Sequence, residues 1–242
     1  MSEQAQPRWP RVLLKLSGEM FAGGKDFGFD PSTVKGIAEE VAAVHRDGVE
    51  VAIVVGGGNI MRGAIAAESG MDRVAADSIG MLATVQNALA LQDAMEKLGV
   101  DTRVQTAIAM STLAEPFIRR RAMRHLEKGR AIILAAGTGN PYFSTDTAAV
   151  LRALEIKAGA VLKATNVDGV YDKDPNKFAD AKRFTELNYD YCIENRLGVM
   201  DLTAFTLCQE NNLPIVVFNL AGTGNVHKVI FSNEIGTVVG RK

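Results

Sequence analysis

The chain is poor in the residues that staple or metallate small folds. Its two cysteines, Cys192 and Cys208, form no CxxC pair. That excludes a disulfide framework and reads as buried thiols in a reducing compartment. Its three histidines, His45, His125 and His227, fit no metal-ligand spacing, which sets zinc and haem chemistry aside. Neither sign of charge dominates: 27 basic against 28 acidic side chains leave a net charge of −1. A dedicated nucleic-acid binder carries a basic excess. No uninterrupted apolar run approaches the ~18 residues of a membrane span. Near the start of the chain Lys15 breaks the apolar stretch, so no secretory h-region is expected. The expected location is the cytoplasm, with neither nucleic acid nor membrane as a partner.

What remains is ordinary globular composition, 47% apolar and 23% charged over 242 residues. A chain of this size buries roughly 70% of its unfolded surface, enough for a core without staples. Short β-branched runs alternate with longer helical patterns. RVLLKL (11–16), VEVAIVV (49–55), a weaker segment at 102–105, AIILA (131–135) and AVLKA (160–164) read as strands. Asp30-Pro31 begins a helix as N-cap and N1, with Val34, Ile37, Ala38, Val41 and Val44 on one face. A long helix is expected over 73–98, ending at Gly99, and another opening at Pro116 and closing at Gly129. Further helices are expected over 145–156, 201–211 and 226–231, and further strands over 215–218 and 237–239. Asp168-Gly169 reads as a hairpin signal. Uninterrupted apolar strands separated by helices indicate a mostly parallel sheet covered on both faces. No linker or repeat divides the chain, so one α/β domain over 1–242 is expected, with lobes of about 1–160 and 161–242.

In open parallel sheets ligands bind beyond the carboxyl ends of the strands. The chemistry-bearing residues follow those ends: Lys15-Leu16-Ser17-Gly18, then Gly56-Gly57-Gly58-Asn59 with Arg62, then Gly137 to Asn140 with Ser144, Thr145 and Asp146, then Lys163 with Thr165 and Asn166. Three glycine loops expose N–H groups that can cradle phosphate oxygens, and Lys15, Lys163 and Arg62 supply countercharge. The Walker pattern GxxxxGK[ST] is absent, GxGxxG fails at Met61 and at Tyr142, and the protein kinase set is missing. Each acid has a plainer reading. Asp146 and Asp201 could be helix N-caps, and Asp77 a solvated helix residue. The run Arg119, Arg120, Arg121 and Arg124 reads as a solvated or subunit-facing surface. Leu82, Val85, Leu89 and Leu91 cover more than one face of the long helix, which fits core on one side and a subunit contact on the other.

The segments KLSGE (15–19), VVGGGNIMRG (54–63), ADSIGMLAT (76–84), AAGTGNPYFSTD (135–146), LKATNVDGVYDKDP (162–175) and VMDLTAF (199–205) follow one another in the order seen in a known family. On them the chain resembles the bacterial UMP kinases of the amino acid kinase superfamily. The resemblance implies a three-layer αβα sandwich with a mostly parallel central sheet. It implies transfer of the ATP γ-phosphate to UMP with Mg²⁺, in the de novo pyrimidine route to CTP, by a homohexamer activated by GTP and inhibited by UTP.

Residue roles follow by the same resemblance. Lys15, Leu16, Ser17, Gly18, Gly58 and Arg62 match ATP-phosphate handling, and Thr165, Asn166, Tyr171 and Asp174 the rest of the ATP site. Asn166 stands where related enzymes often have lysine; an asparagine keeps hydrogen bonding without the charge. Gly57, Asp77 and the run Thr138, Gly139, Asn140, Pro141, Tyr142, Phe143, Ser144 and Thr145 match UMP contacts. Lys15, Asp146, Lys163 and Asp201 match the catalytic set, the acids organising the lysines and a hydrated Mg²⁺ held mainly by nucleotide phosphates and water. Arg103 and Arg130 match a GTP site, and Gly23, Gly24, Lys25, Asp26, Phe27 and Gly28 a segment coupled to activation. The alternatives are a carbamate or N-acetylglutamate kinase-like enzyme, or a non-enzymatic nucleotide-binding storage protein.

Overall fold

The computed structural model describes residues 6–61, 70–175, 177–195, 197, 198 and 200–240. Its centre is strand β1 (Arg11–Leu16), the apolar RVLLKL run, paired in parallel with β2 (Glu50–Val55) on one side and β6 (Ala160–Thr165) on the other. Outward from β2 lie β5 (Ala131–Ala135), β3 (Thr102–Thr106) and the edge strand β4 (Glu115–Pro116). Outward from β6 lie β8 (Ile215–Asn219), β9 (Thr237–Gly240) and β7 (Glu186–Asn188). Seven of the nine strands run in one direction; β9 runs antiparallel to β8, and β7, parallel to β9, shares its reversed direction. The expected mostly parallel sheet is therefore present.

Helices cover both faces, because strands buried on two sides need two apolar layers. The described helices are α1 (Glu19–Ala22), α2 (Pro31–Arg46), α3 (Arg73–Lys97), α4 (Arg119–Glu127), α5 (Thr145–Glu155), α6 (Tyr189–Glu194), α7 (Leu202–Asn211) and α8 (Asn225–Phe231). Successive side chains of β1 split between two cores. Val12, Leu14 and Leu16 pack with Val41 of α2, Leu91 of α3 and Val229 of α8. Leu13 joins Leu126 of α4, Val150 of α5 and Cys208 of α7. This alternation puts Lys15, the next odd position of the strand, among the helices of the second layer, where it meets the start of α5.

Most expected elements are present within a residue or two, including the Asp30 cap, whose side chain accepts from Thr33 N. Burial pushes the thiols of Cys192 and Cys208 up to about 11 and about 12, in keeping with inert core cysteines. Three expectations need correction. Pro116 does not open a helix; it lies in β4 at the sheet edge, where a missing N–H costs no ladder bond, and α4 begins at Arg119. Asp168-Gly169 joins no two strands. Tyr171 instead bridges Arg183 antiparallel across a longer loop, and a Cβ on Gly169 would meet Thr237 Oγ1 at 2.5 Å, so close approach explains this glycine. Asp146 is not a cap, since Ser144 caps α5, whereas Asp201 does cap α7. The long helix expected over 73–98 is present as α3; it is long and apolar enough to cross a membrane by length and composition, but it packs on α2 and the sheet, with Val85, Leu91 and Met95 buried. Its outer face exposes Val74, Ile79 and Leu82. The helices α1 and α6 and strand β7 were not anticipated, being too short to show a period.

Candidate active site

The strand ends of β1 and β2 bring two glycine loops into backbone contact. Gly56 N donates to Leu16 O at 2.8 Å. A Cβ on Gly18 would stand 2.4 Å from Gly58 N and 2.7 Å from Asn59 Oδ1. Only glycine permits this approach, which leaves two loops of N–H groups at one sheet edge, the arrangement that suits anionic oxygens.

Beside them, two lysines converge on one carboxylate. Lys15 of β1 is 7% exposed, and its Nζ lies 2.7 Å from Asp146 Oδ1 as an ion pair. Lys163 of the neighbouring β6 donates to Asp146 Oδ2 at 2.6 Å. The register Lys15↔Lys163 forces the pairing, because adjacent parallel strands set the two side chains side by side. Burial pushes the Asp146 carboxyl up, but the charges of Lys15 and Lys163 outweigh it and hold the group below its ordinary range. Lys163 is held below the ordinary lysine range, first by burial and then by Lys15, against the opposing pull of Asp146. Asp201 stands next to this set. Its Oδ1 accepts from Ala204 N at 2.9 Å as the cap of α7, and its carboxylate accepts from Thr147 Oγ1 and from the Ser144 hydroxyl. It thereby ties the start of α5, and so Asp146, to the start of α7.

Three clefts open around these groups. One of about 240 Å³ is lined by Gly57, Gly58, Asp77, Thr138, Asn140, Phe143 and Thr145, so most of the residues matched to UMP contacts share one cavity. Gly139, Pro141, Tyr142 and Ser144 are not part of its lining. Asp77 is not a solvated helix residue: Arg73 Nε donates to both its oxygens, at 2.9 and 2.8 Å, and Tyr142 N donates to Oδ2 at 2.8 Å. A second cleft, of about 530 Å³, is lined by Lys163, Thr165, Tyr171 and Asp174 among others. A third, of about 680 Å³, joins Gly58 and Asn166 to Gly23, Lys25, Asp26 and Phe27. The segment 23–28 thus lies beside the phosphate loops, with Gly28 N donating to Asn59 O at 2.9 Å.

Arg103 and Arg130 are elsewhere. They sit at the starts of β3 and β5, far along the strands from these loops, with Arg103 3.7 Å from Glu96 and Arg130 3.8 Å from Asp101. Arg130 also faces His125 Nδ1 at 3.2 Å. Arg62 lies outside the described residues. Three side chains with roles here, Thr147, Thr84 and Asn87, were not singled out from the sequence. Thr147 holds Asp201, Thr84 accepts from Ala136 N at 2.7 Å, and Asn87 exchanges amide hydrogen bonds with Asn59, which the strand-end pattern includes. The available signal was a polar residue at a core-facing helical position, as at Thr84 and Asn87.

Glycine loops at the ends of parallel strands, with a carboxylate-bridged lysine pair between two clefts, define a phosphate-handling α/β enzyme without a Walker loop. The chain belongs to the amino acid kinase family, whose model matches residues 10–219. It is 60% identical over 234 residues, 96% of this chain and 69% of the relative, to the chloroplastic uridylate kinase PUMPKIN of Arabidopsis thaliana. Its fold is that of the UMP kinase from Bacillus anthracis, with a TM-score of 0.93 and 39% identity over 96% of each chain. The UMP kinase from Ureaplasma parvum matches with a TM-score of 0.90 and 36% identity, over 99% of this chain and 100% of that one. The chain is an enzyme, and the resemblance to UMP kinases seen in its motifs is borne out.

Proposed function

We propose that this enzyme transfers the γ-phosphate of ATP to UMP, forming UDP and ADP on the route to CTP. The observation that carries the reading is the Lys15–Asp146–Lys163 set. Thr145, next to Asp146, lines the 240 Å³ cleft, and Lys163 lines the 530 Å³ cleft, so the set stands between two cavities fit for two nucleotides. The acceptor lobe is about 1–160 and the ATP lobe about 161–242. UMP lies along Asp77 and the loop 138–145, and ATP along Thr165, Asn166, Tyr171 and Asp174 with its phosphates on Ser17, Gly18, Gly58 and Arg62.

Transfer between two polyanions needs alignment and neutralised charge rather than covalent help. Lys15 and Lys163 supply fixed positive charge where the phosphates meet, and Asp146 keeps the two ammonium groups together against their own repulsion. The acceptor needs no general base. A phosphate monoester has its second pKa near ~6 and is mostly a dianion at neutral pH, which accounts for a site without histidine. Among the described residues no three His, Cys, Asp or Glu side chains cluster into a metal cage. Asp146, contacted by both lysines, and Asp201, which shares Thr147 and Ser144 at the start of α5, are carboxylates whose chemistry fits a hydrated Mg²⁺ that arrives with ATP. When bound, that ion neutralises phosphate charge.

A coupled ADP-release assay with UMP, CMP, dUMP, carbamate and N-acetylglutamate tests the reading. UMP is expected to be turned over fastest, with activity lost in excess chelator. Faster turnover of CMP, or full activity with chelator, would contradict it. Carbamate or N-acetylglutamate as the best acceptor would select a related kinase, and nucleotide binding without turnover a storage role.

Asp77 gives a sharper check. A carboxylate can accept hydrogen bonds from ribose hydroxyls, and charge-assisted bonds are worth ~1.5–3 kcal/mol. Asp77→Asn should raise the KM for UMP tenfold or more and leave the KM for ATP nearly unchanged. Equal effects on both substrates would mean that the variant only loosens the Tyr142 turn.

Regulation extends the same proposal. GTP activates at Arg103 and Arg130, UTP inhibits, and the segment 23–28, beside the phosphate loops, couples the two sites within a homohexamer. The exposed apolar residues of α3 suit a subunit contact. With Arg130→Ala, the ratio of activity with GTP to activity without it is expected to fall to one at subsaturating ATP. An unchanged ratio would remove Arg130 from the effector site. The location stays a proposal: the cytoplasm by composition, whereas the Arabidopsis relative is named as chloroplastic.

A further inference from the structure

Helix α3 presents three polar side chains along one stripe, at heptad-like spacing, and each grips a different piece of the acceptor loops. Asp77 takes Tyr142 N, Thr84 takes Ala136 N, and Asn87 takes Gly56 O at 2.8 Å. Asn87 is the most enclosed of the three, at 0% exposure, and lines none of the clefts described above. Its amide is paired reciprocally with that of Asn59 on the glycine loop. Asn87 Nδ2 donates to Asn59 Oδ1 at 2.7 Å, and Asn59 Nδ2 donates to Asn87 Oδ1 at 3.0 Å. The second N–H of Asn59 goes to Gly28 O at 2.7 Å. All four amide N–H groups of the pair are therefore used, and they join α3, the loop 56–59 and the segment 23–28 at one buried point.

A buried asparagine in a helix that otherwise faces an apolar core is costly unless every polar atom is satisfied. Leucine at this position would serve α3 as packing. The geometry points to another role. We infer that Asn59 and Asn87 form one positioning unit that fixes the glycine loop against α3, so that Gly57 and Gly58 meet both phosphates in register. Asn87 does this without touching either nucleotide. The inference rests on the kinase reading, in which Gly57 faces the acceptor and Gly58 the donor.

Misplacement by about 1 Å costs a transfer reaction on the order of 10²-fold. The loop lies between the two substrates, so alignment suffers more than the grip on either one. For Asn87→Ala, kcat is expected to fall about 30- to 100-fold, with the KM for each substrate changed less than about fivefold. Asn87→Leu, which fills the space but removes the hydrogen bonds, should fall as far. Because the pair acts as a unit, the Asn59→Ala, Asn87→Ala double variant should lose no more than about threefold beyond either single change.

Each rate is read as a ratio to the wild type on whichever acceptor the wild type uses best, so failure with UMP as acceptor leaves this test intact. Thermal melting is followed in parallel. A kcat within threefold of wild type in folded Asn87→Ala would overturn the inference, as would rescue by leucine or additive losses in the double variant. Unfolding of both single alanine variants would assign the pair to stability alone and overturn it equally.

Discussion

Replacing Lys15 by alanine is expected to lower kcat by roughly 10²-fold or more, the scale of losing one preorganised electrostatic group. The group is fixed before substrate arrives: β1 holds its backbone between two strands and Asp146 holds its ammonium at 2.7 Å. Alanine sits easily in a strand flanked by Leu14 and Leu16, and Asp146 keeps its bond to Lys163, so the fold should remain. Steady-state kinetics together with circular dichroism separate the two effects. A folded variant within about threefold of wild type would show that Lys15 only fills the space under α5.

Asp146→Asn should be more damaging, because it harms both fold and chemistry. The substitution keeps the shape but leaves two ammonium groups facing one another without the carboxylate that both contact. Removing one member of a buried ionic group costs ~3–5 kcal/mol. In a chain of this size that corresponds to roughly 10 °C in Tm. The dependence on pH has a definite sign. Asp146 is held below its ordinary value in the folded state, so its contribution is present above the usual carboxylate range and is lost as pH falls through the depressed value. The two melting curves should differ fully at neutral pH and converge only in acid. A gap that did not narrow in acid would mean that the loss comes from packing rather than from the carboxylate charge.

The strand-end chemistry was legible because parallel sheets present it at one edge, so the positions of Lys15, Gly58, Asp146 and Lys163 followed once the strands were placed. Motif order supplied what spacing could not, such as the closeness of Asp77 to a loop 65 residues away. Other features were hidden for physical reasons. Asn87 gave no signal of its pairing in an apolar helix, because its partner Asn59 is 28 residues distant and joined only by the fold. Pro116 looked like a helix start, because sequence does not reveal that it occupies an edge strand. Asp201 was recognisable as a cap from its place before a helix. Its bond to Thr147, the link between the two helix starts, was not.

The most direct test of the central claim follows the phosphate itself. The purified enzyme would be incubated with ATP labelled at the γ-phosphate, Mg²⁺ and UMP, and the products separated. The account predicts label in UDP in step with ADP formation, and none transferred in excess chelator. Label released only as inorganic phosphate, or retained in ATP with no labelled UDP formed, would contradict it.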